Sequence, residues 1–261
     1  MPDRRSRVFS LVFLSGLLCV GAASAGEAFG PGEQSTYQVQ YLGMTAGTAK
    51  ITVGAPMQQW GQPVMPIVAV AKSDLALYPI KDRFISYWDA AQKKTIGSEF
   101  YVDENNKRRR QRIRFNAPDN SSAQVMKQKE GEGPSEDTHA VQAGSVDIAA
   151  ASFALRSQPF NTGDTYEVPI FTGTKQFVLK LKVEDRVKIQ TPLGQREVIR
   201  TKAKTDFSGK LASKKDITVY FTADESHVPV RVEAEFLLGT VVAELTDYKA
   251  GGQLAVNSPV R

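Results

Sequence analysis

The stretch DITVYFTADESHVPVRVEAEFLLGTVVAELTDY, residues Asp216–Tyr248, decides the fold, because apolar and polar side chains alternate along it. Three segments keep this period of two, Asp216–Asp224, Val228–Leu238 and Val241–Tyr248, and short turns separate them. Successive side chains of a strand point to opposite faces, so each segment has one apolar and one polar side. The stretch therefore predicts three consecutive antiparallel strands that share an apolar face.

The same alternation continues along most of the chain and predicts about a dozen strands joined by short turns. Ser145–Arg156 is the exception, because it is rich in alanine, Ser145 can cap it, and Asp147 suits the positive end of a helix. Glu130–Thr138, inside a glycine- and acid-containing stretch near 128–144, is predicted to be a mobile loop. The predicted fold class is all-β with one short helix, an antiparallel sheet curled into an open barrel or a sandwich.

Residues 1–25 have the pattern of a cleavable secretory signal peptide. Arginines precede the apolar run Val8–Val20, and Ala23-Ser24-Ala25 is a small-residue cleavage site. The run is too short for a membrane-spanning helix, which needs about 20 residues. We therefore expect a periplasmic protein without a transmembrane segment in its mature chain. The alternatives are an outer-membrane lipoprotein acylated at Cys19 and a secreted protein.

The expected mature chain, residues 26–261, contains no cysteine, because Cys19 is the single cysteine of the sequence. It must fold by burying a core, without disulfides, and its length suits one β-rich domain. The formal net charge of +5 is mild for 261 residues. Together with the export signal, this charge gives no reason to expect nucleic acid as a partner.

Motifs of familiar enzyme chemistry are missing from the sequence, which has no G-x-S-x-G, no H-E-x-x-H and no glycine-rich phosphate loop. We therefore expect a protein that is not an enzyme and uses no cofactor. His227 is expected to be a solvated turn residue. Glu136, Asp137 and His139 offer three metal-ligand types within four residues, but their surroundings favour an acidic loop over a metal site.

The densest cluster of charge is KRRRQRIR, residues Lys107–Arg114. In a strand, Arg108, Arg110, Arg112 and Arg114 fall on one face, about 6.6–6.8 Å apart. Four like charges are not buried unpaired, so this face must meet water, carboxylates or an external polyanion. Two interpretations stay open: a solvated edge strand that blocks aggregation, and a binding face whose guanidinium groups contact phosphate or carboxylate.

Aromatic residues recur at the inward-facing positions of the predicted strands. The usual interpretation of such residues is a packed core. A curled sheet can also enclose a cavity for one small ligand, and the aromatic rings would then line it. The residues are Tyr37, Tyr41, Phe84, Trp88, Phe177, Phe221 and Phe236.

Four short patterns follow one another along the chain: Gly32-Glu33 with Tyr37-x-Val39-x-Tyr41, Asp147 to Leu155-Arg156, Pro159-Phe160-x-x-Gly163-Asp164, and Val219-Tyr220-Phe221-Thr222 with Pro229-Val230-Arg231. Their order resembles that of the DUF3108 family, exported bacterial proteins of unknown function. The sequence departs from the family pattern at Ala150, where a serine is expected, at Tyr220, where tryptophan is common, and at His227, where a basic residue is usual. The resemblance implies a periplasmic β-rich domain and supplies no activity.

Three functional hypotheses remain. The first is a periplasmic binding or scaffold domain that carries an amphipathic lipid or glycolipid, with aromatic rings on the acyl chains and arginines on an acidic headgroup. The second is a structural envelope protein that binds another protein through a strand edge. The third is a glycan-acting hydrolase with two carboxylates about 5–9.5 Å apart. Its candidate carboxylates are Asp74, Asp82 and Asp147.

Overall fold

The structure is a computed structural model, and it describes residues 28–73, 79–105, 107–205, 217–236 and 239–252. The predicted signal peptide therefore lies outside the described residues. The described chain forms fifteen strands and one helix, which confirms the predicted fold class. The strands are β1 Gln34–Tyr41, β2 Met44–Val53, β3 Met57–Gln59, β4 Gln62–Ser73, β5 Lys81–Asp89, β6 Lys94–Glu104, β7 Lys107–Phe115, β8 Ser122–Lys129, β9 Ser135–Ala140, β10 Thr165–Phe171, β11 Gln176–Thr191, β12 Gly194–Thr205, β13 Ile217–Thr222, β14 Pro229–Phe236 and β15 Gly239–Lys249.

These strands pair antiparallel and join into one sheet. Its order is β10-β11-β12-β13-β14-β15-β1-β2-β4-β5-β6-β7-β8-β9, and the short β3 pairs with β4 beside this path. The end strands β9 and β10 do not pair with each other within the described residues, so the sheet stays open. Of the two predicted forms, the structure has the curled open sheet rather than the sandwich.

The sheet curls because two distant parts of its strand order share one core. Met65 and Ile67 of β4 and Trp88 of β5 pack in the same cluster as Ile170 of β10 and Phe177 of β11. Each side chain of this size contributes about 1.5–3 kcal/mol when it is fully buried. Burial of this shared apolar face therefore keeps the open sheet curled around the core.

The helix α1 spans Ile148–Arg156 and begins later than the predicted Ser145–Arg156. Its N-cap is Asp147, whose carboxylate accepts the N–H of Ala150 at 2.9 Å. Ser145 is not the cap, because its hydroxyl donates to the carbonyl of Gln142. The helix packs against β5, β6 and β10, in the curl of the sheet. No helix among the described residues has the length and apolar character needed to cross a membrane.

Strand β9 lies inside the segment predicted to be a mobile loop. Glu136 pairs with Met126 and Thr138 with Gln124 of β8, so a ladder of backbone pairs holds this segment. The prediction of a loop was therefore wrong for residues 135–138. The alternation of apolar residues could not reveal β9, because nearly all of its side chains are exposed.

Candidate functional site

The arginine row of β7 lies on the outer face of the sheet. Ile113 and Phe115 alternate with the row and are buried in an inner core cluster. On β5, Arg83 lies opposite Tyr101, which in turn lies opposite an arginine of β7, so Arg83 shares the outer face. Lys81 is two residues from Arg83 and therefore points the same way. We call the following set the outer basic face: Lys81, Arg83, Arg108, Arg110, Arg112 and Arg114.

Glu99 of β6 is a buried counter-charge beneath this face and is 5% exposed. It accepts Arg110 Nη2 at 2.9 Å and Arg112 Nε at 3.1 Å, and the Tyr101 hydroxyl also donates to it. Burial acts to raise the pKa of Glu99, but the hydrogen bonds from Tyr101 and the two arginines outweigh burial and hold this pKa below its usual range. Two of the four predicted arginines are thus paired with a carboxylate of the protein itself.

The interpretation of the row as a solvated edge was wrong, because β7 lies between β6 and β8. Arg108 meets carboxylates only at the surface, 3.5 Å from Asp103 and 4.0 Å from Glu130, and its side chain is 68% exposed. Such exposed pairs contribute about 0–1 kcal/mol. Arg108 can therefore exchange these partners for an external acid at small cost.

Arg114 lies over the ring of Trp60, with its guanidinium carbon 5.7 Å from the ring centroid. The turn that carries Trp60 packs on β6 at Gly97, whose φ is +152°. A Cβ at this position would lie 2.7 Å from the Trp60 ring and 2.2 Å from the carbonyl oxygen of Ile113. Glycine is therefore required for the β3–β4 turn to cover the outer face.

An open groove of about 370 Å³ lies where β5 and β7 begin and β6 and β8 end, and it includes Lys81, Arg108 and Arg110 of the outer basic face. Inside this region the Nε atom of Arg110 is buried and has no hydrogen-bond partner within the described residues. Because this atom is closed to solvent, a ligand in the groove would meet the exposed part of the Arg110 side chain, which is 36% exposed, and not its Nε. The groove is lined by Lys81, Tyr101, Val102, Asp103, Arg108, Arg109, Arg110, Gln128, Lys129, Glu130 and Gly131.

The predicted inward aromatics do not line this groove, nor the second cavity described below. Four of them are buried in three separate core clusters: Tyr37, Trp88, Phe177 and Phe221. Tyr41 and Phe84 are partly buried, and the side chain of Phe236 lies outside what the structure describes. These positions support the interpretation of the aromatics as core.

Two of the candidate carboxylates, Asp82 and Asp147, line neither cavity. Asp147 is 1% exposed and caps α1, with the Ser86 hydroxyl donating to it at 2.7 Å. Asp82 lies within hydrogen-bond contact of Glu104, and burial followed by the Asp82 charge raises the pKa of Glu104. This contact is shorter than the spacing of about 5–9.5 Å that glycosidases use. Asp74 lies outside the described residues.

His139 lies beside the ring of Phe171, at a centroid distance of 5.5 Å. Its Nε2 atom is buried and has no hydrogen-bond partner in the part of the chain that the structure describes. No group of three or more histidine, cysteine or acidic side chains in these described ranges could hold a metal ion. The predicted trio of Glu136, Asp137 and His139 is therefore not brought together as a ligand set.

A buried cluster that the sequence analysis missed joins segments far apart in the chain. Arg156 at the end of α1 binds both oxygens of Glu33, with Nη1–Oε1 at 2.7 Å and Nη2–Oε2 at 3.1 Å. Its Nε donates to the carbonyl of Ser226 at 3.0 Å, and its own carbonyl lies 2.9 Å from His227 Nδ1. The His227 ring stacks on Phe160 at 4.4 Å. We call these five residues the motif junction.

The motif junction corrects the expectation of a solvated turn histidine at His227, because its ring is stacked and hydrogen-bonded. A signal was present in the sequence, since Glu33, Arg156 and Phe160 each belong to a different one of the four patterns quoted above. Their contact could not be derived, because Glu33 and Arg156 are 123 residues apart in the chain.

A second cavity of about 310 Å³ adjoins the motif junction at Ser226. It lies between the β11–β12 hairpin, the turn from β13 to β14, and β15. Its lining combines apolar, hydroxyl-bearing and charged residues, and none of them belongs to the outer basic face. They are Thr191, Leu193, Arg196, Thr222, Asp224, Ser226, Val228, Val230, Leu245, Asp247 and Tyr248.

Comparisons with known proteins agree with this fold. The family model DUF3108, described as a protein of unknown function, matches residues 36–246. No curated protein matches the chain. The structure is similar to the crystal structure of a β-barrel-like protein, a domain of unknown function DUF1849 from Brucella abortus, with a TM-score of 0.55 and 9% identity. That similarity covers 84% of this chain and 97% of the other, and it shows the fold alone.

Two further structures are similar only loosely. One is a protein from Bacteroides fragilis described as exported with a YmcC-like fold, with a TM-score of 0.33, 14% identity, and coverage of 85% of this chain and 98% of the other. The second is described as a lipoprotein from Parabacteroides distasonis, with a TM-score of 0.32, 12% identity, and coverage of 86% and 99%. Likeness at this level carries no argument about function.

Proposed function

The chain belongs to the DUF3108 family of proteins of unknown function, and we propose that it is an exported binding domain that recognises an acidic group on its outer basic face. The observation that carries this proposal is the excess of positive charge around the groove. Among the described residues, the groove is lined by five cationic side chains and two carboxylates; the cations are Lys81, Arg108, Arg109, Arg110 and Lys129, and the carboxylates are Asp103 and Glu130. A ligand that supplies a phosphate or carboxylate would balance this excess.

The position of Arg110 supports an acid as the ligand. Its Nη2 is held by Glu99, which fixes the guanidinium plane, while the side chain stays 36% exposed at the groove. The neighbouring Tyr101 ring also holds the guanidinium group in place, since the guanidinium carbon lies 4.9 Å from the ring centroid. An arginine fixed in this way loses little conformational freedom when it binds a planar or tetrahedral anion.

The protein recognises the acidic group of the ligand rather than its apolar part. A carrier of acyl chains would need an apolar cavity, but the inner face of the curl is occupied by packed side chains and by α1. We therefore propose surface recognition of a phosphate- or carboxylate-bearing envelope molecule, rather than enclosure of a whole lipid. The leader pattern of residues 1–25 supports the periplasm as the place of action.

The strand-edge alternative has a weaker basis. β9 ends the sheet, and its outward side is unpaired within the described residues. It is six residues long and carries Glu136 and Asp137, both exposed. Short length and charge are the features that protect a sheet edge from pairing with other strands. For this reason we prefer the outer basic face over β9 as the site of recognition.

The proposal is tested by measuring the binding of the whole mature chain to three probes. They are vesicles of phosphatidylcholine, vesicles of phosphatidylcholine with about 30 mol % phosphatidylglycerol, and inorganic phosphate. We expect binding to anionic vesicles that weakens with salt, and a loss of about tenfold or more in the double variant K81Q/R108Q. Phosphate binding without vesicle binding would identify a soluble acid as the ligand source.

The double variant K182Q/K188Q is the matched control, because both lysines are exposed on β11 and neither belongs to the outer basic face. It removes two positive charges without touching the groove. Equal binding by K81Q/R108Q and K182Q/K188Q would overturn the proposal, as would equal binding to neutral and anionic vesicles. Circular dichroism of both variants must match the wild-type protein, which is expected because the substituted side chains are exposed.

A further inference from the structure

The second cavity has an apolar floor and a polar rim. Val228, Val230 and Leu245 form the floor, and each is less than 5% exposed. The rim is built from hydroxyl groups, two carboxylates and one guanidinium group. The volume of about 310 Å³ lies at the lower end of the range of about 300–1,000 Å³ found for ligand pockets. A ligand of one or two rings is therefore the largest that the cavity can surround.

Asp224 is fixed at one side of the rim. Its Oδ1 accepts the Thr222 hydroxyl at 2.8 Å and the Ser226 N–H at 3.0 Å, and the Ser226 hydroxyl donates to it as well. Burial acts to raise the pKa of Asp224, but these hydrogen bonds outweigh burial and hold the pKa below its usual range. The carboxylate is thus ionised at neutral pH, and its Oδ2 remains able to accept a hydrogen bond.

Tyr248 adds a donor to the rim. Burial raises the pKa of its hydroxyl, the charge of Glu33 acts in the same direction, and Arg156 opposes them. The phenol therefore keeps its proton at any physiological pH and can donate it in a hydrogen bond. The Tyr248 hydroxyl also interacts with Arg156, so the side chain is tied to the motif junction where it lines the cavity.

Arg196 and Asp247 complete the rim with one charge of each sign. Within the described residues, neither side chain has a hydrogen-bond or ion-pair partner. Both side chains are exposed, so a ligand in the cavity can reach them. A guanidinium group that only donates and a carboxylate that only accepts are thus available at the same cavity.

The geometry points to a second binding site, for a neutral, hydroxyl-rich ring such as a saccharide unit. A sugar ring presents C–H groups on its faces, which suit the floor of Val228, Val230 and Leu245, and hydroxyls at its edge that both donate and accept. The rim offers acceptors at Asp224 and Asp247 and donors at Arg196 and Tyr248. Charges of both signs leave no strong net field, which disfavours a polyanion or a polycation.

The motif junction fixes the wall of this site. Arg156 donates to the carbonyl of Ser226, which lies two residues after Asp224 in the same turn. The N–H of Val228, at the floor, donates to the Thr222 hydroxyl at 2.9 Å. The turn between β13 and β14 is thereby tied both to α1 and to its own strand. A rigid site of this kind loses little entropy when a ligand binds.

The inference is tested by titrating the isotope-labelled mature chain with glucose, N-acetylglucosamine, chitobiose, hexylamine and sodium sulfate, observed by NMR amide shifts. We expect the saccharides to shift the amides of residues 191–196, 222–230 and 245–248, with weak affinity. D247N and R196Q should each raise the dissociation constant about tenfold. Each variant loses a hydrogen bond between the ligand and a charged group, and such a bond contributes about 1.4 kcal/mol or more.

Asp137→Asn and Lys188→Gln are the matched controls, because both residues are exposed and lie outside the cavity. Both should bind as the wild-type protein does. Shifts caused by hexylamine or sulfate but not by saccharides would overturn the assignment of ligand class. An absence of shifts with every probe, or equal affinity in D247N, R196Q and the controls, would overturn the site itself. Vesicle binding at the outer basic face is measured separately and does not depend on these outcomes.

Discussion

Arg156 and Glu33 form a bidentate ion pair in the interior of the protein, with side chains that are 2% and 3% exposed. The pair fastens the end of α1 to the chain that leads into β1. Arg156 also lies over the ring of Phe153, 4.8 Å from its centroid. Removing one member leaves a buried charge without its partner, whereas removing both leaves none.

We expect Glu33→Gln to lower the free energy of unfolding by about 3–5 kcal/mol. The double variant E33L/R156M should be more stable than E33Q, because it buries no unpaired charge. Chemical denaturation followed by circular dichroism measures both. Glu167→Gln is the control, since Glu167 pairs with Lys180 at the surface, where an ion pair contributes about 0–1 kcal/mol. A cost for E33Q no larger than that for E167Q would contradict the role assigned to the pair.

Asp147 gives a prediction about pH, because burial raises the pKa of its carboxyl. The folded protein then binds a proton at Asp147 more tightly than the unfolded chain does. This carboxyl favours folding at acid pH. Its contribution to stability is lost as pH rises from the pKa of an unfolded aspartate, about 3.9, through the raised pKa of the folded protein. The variant D147N should therefore gain stability relative to the wild-type protein as pH increases.

The measurement for Asp147 is the difference in unfolding free energy between D147N and the wild-type protein from pH 4 to pH 8. Asparagine can still accept the N–H of Ala150 and so keeps the helix cap. Alanine cannot, and it also removes the acceptor of the Ser86 hydroxyl, although the Thr95 hydroxyl can still donate to the carbonyl of Gly97, so D147A should cost about 2 kcal/mol or more. A difference that is flat, or that falls with rising pH, would be inconsistent with a raised pKa.

The period-two pattern was sufficient to predict most of the sheet, because most strands bury one face. It failed at β9, whose side chains are exposed on both faces, and it could not decide between an open sheet and a sandwich. Strand order depends on contacts such as that between β1 and β15, where Tyr37 lies opposite Leu245. Sequence spacing alone carries no information about such distant pairs.

The candidate site shows the same limit. The arginine row and its shared face follow from alternation, and the structure places all four residues on one face. Their partner Glu99 could not be predicted, because it lies on the neighbouring strand and its role depends on the register of β6 with β7. The helix cap was missed for a local reason, since Ser145 forms its own turn and leaves Asp147 as the first free acceptor.

Glu99 links the stability of the outer basic face to its binding. Because the pKa of Glu99 is lowered in the folded protein, its contribution to stability is present at neutral pH and is lost as pH falls through the folded pKa. We expect E99Q to lower the unfolding free energy by about 1–3 kcal/mol at pH 7, and by less at pH 4. At the same time Arg110 and Arg112 lose their internal counter-charge, so binding to anionic vesicles and to phosphate should strengthen.

Opposite signs for stability and binding distinguish this prediction from general damage to the fold. Glu167→Gln is the control: Glu167 also pairs with a cation, Lys180, but neither residue lines the groove or belongs to the outer basic face. We expect E167Q to leave vesicle binding unchanged. If E99Q weakens binding in proportion to its loss of stability, the outer basic face is not the binding surface.

The acidic residues of β9 protect an open sheet edge. β9 pairs with β8 on one side and with no other described strand on its outward side. Glu136 and Asp137 are exposed there, and charge at an edge opposes pairing with strands of other molecules. We expect the variant E136T/D137T to keep its fold, because threonine favours strands. It should nevertheless aggregate at protein concentrations where the wild-type protein stays dispersed, as measured by light scattering over several hours.

The control E130T/E132T removes two acids from the turn between β8 and β9 and should remain dispersed. Equal aggregation of both variants would attribute the effect to net charge rather than to the edge.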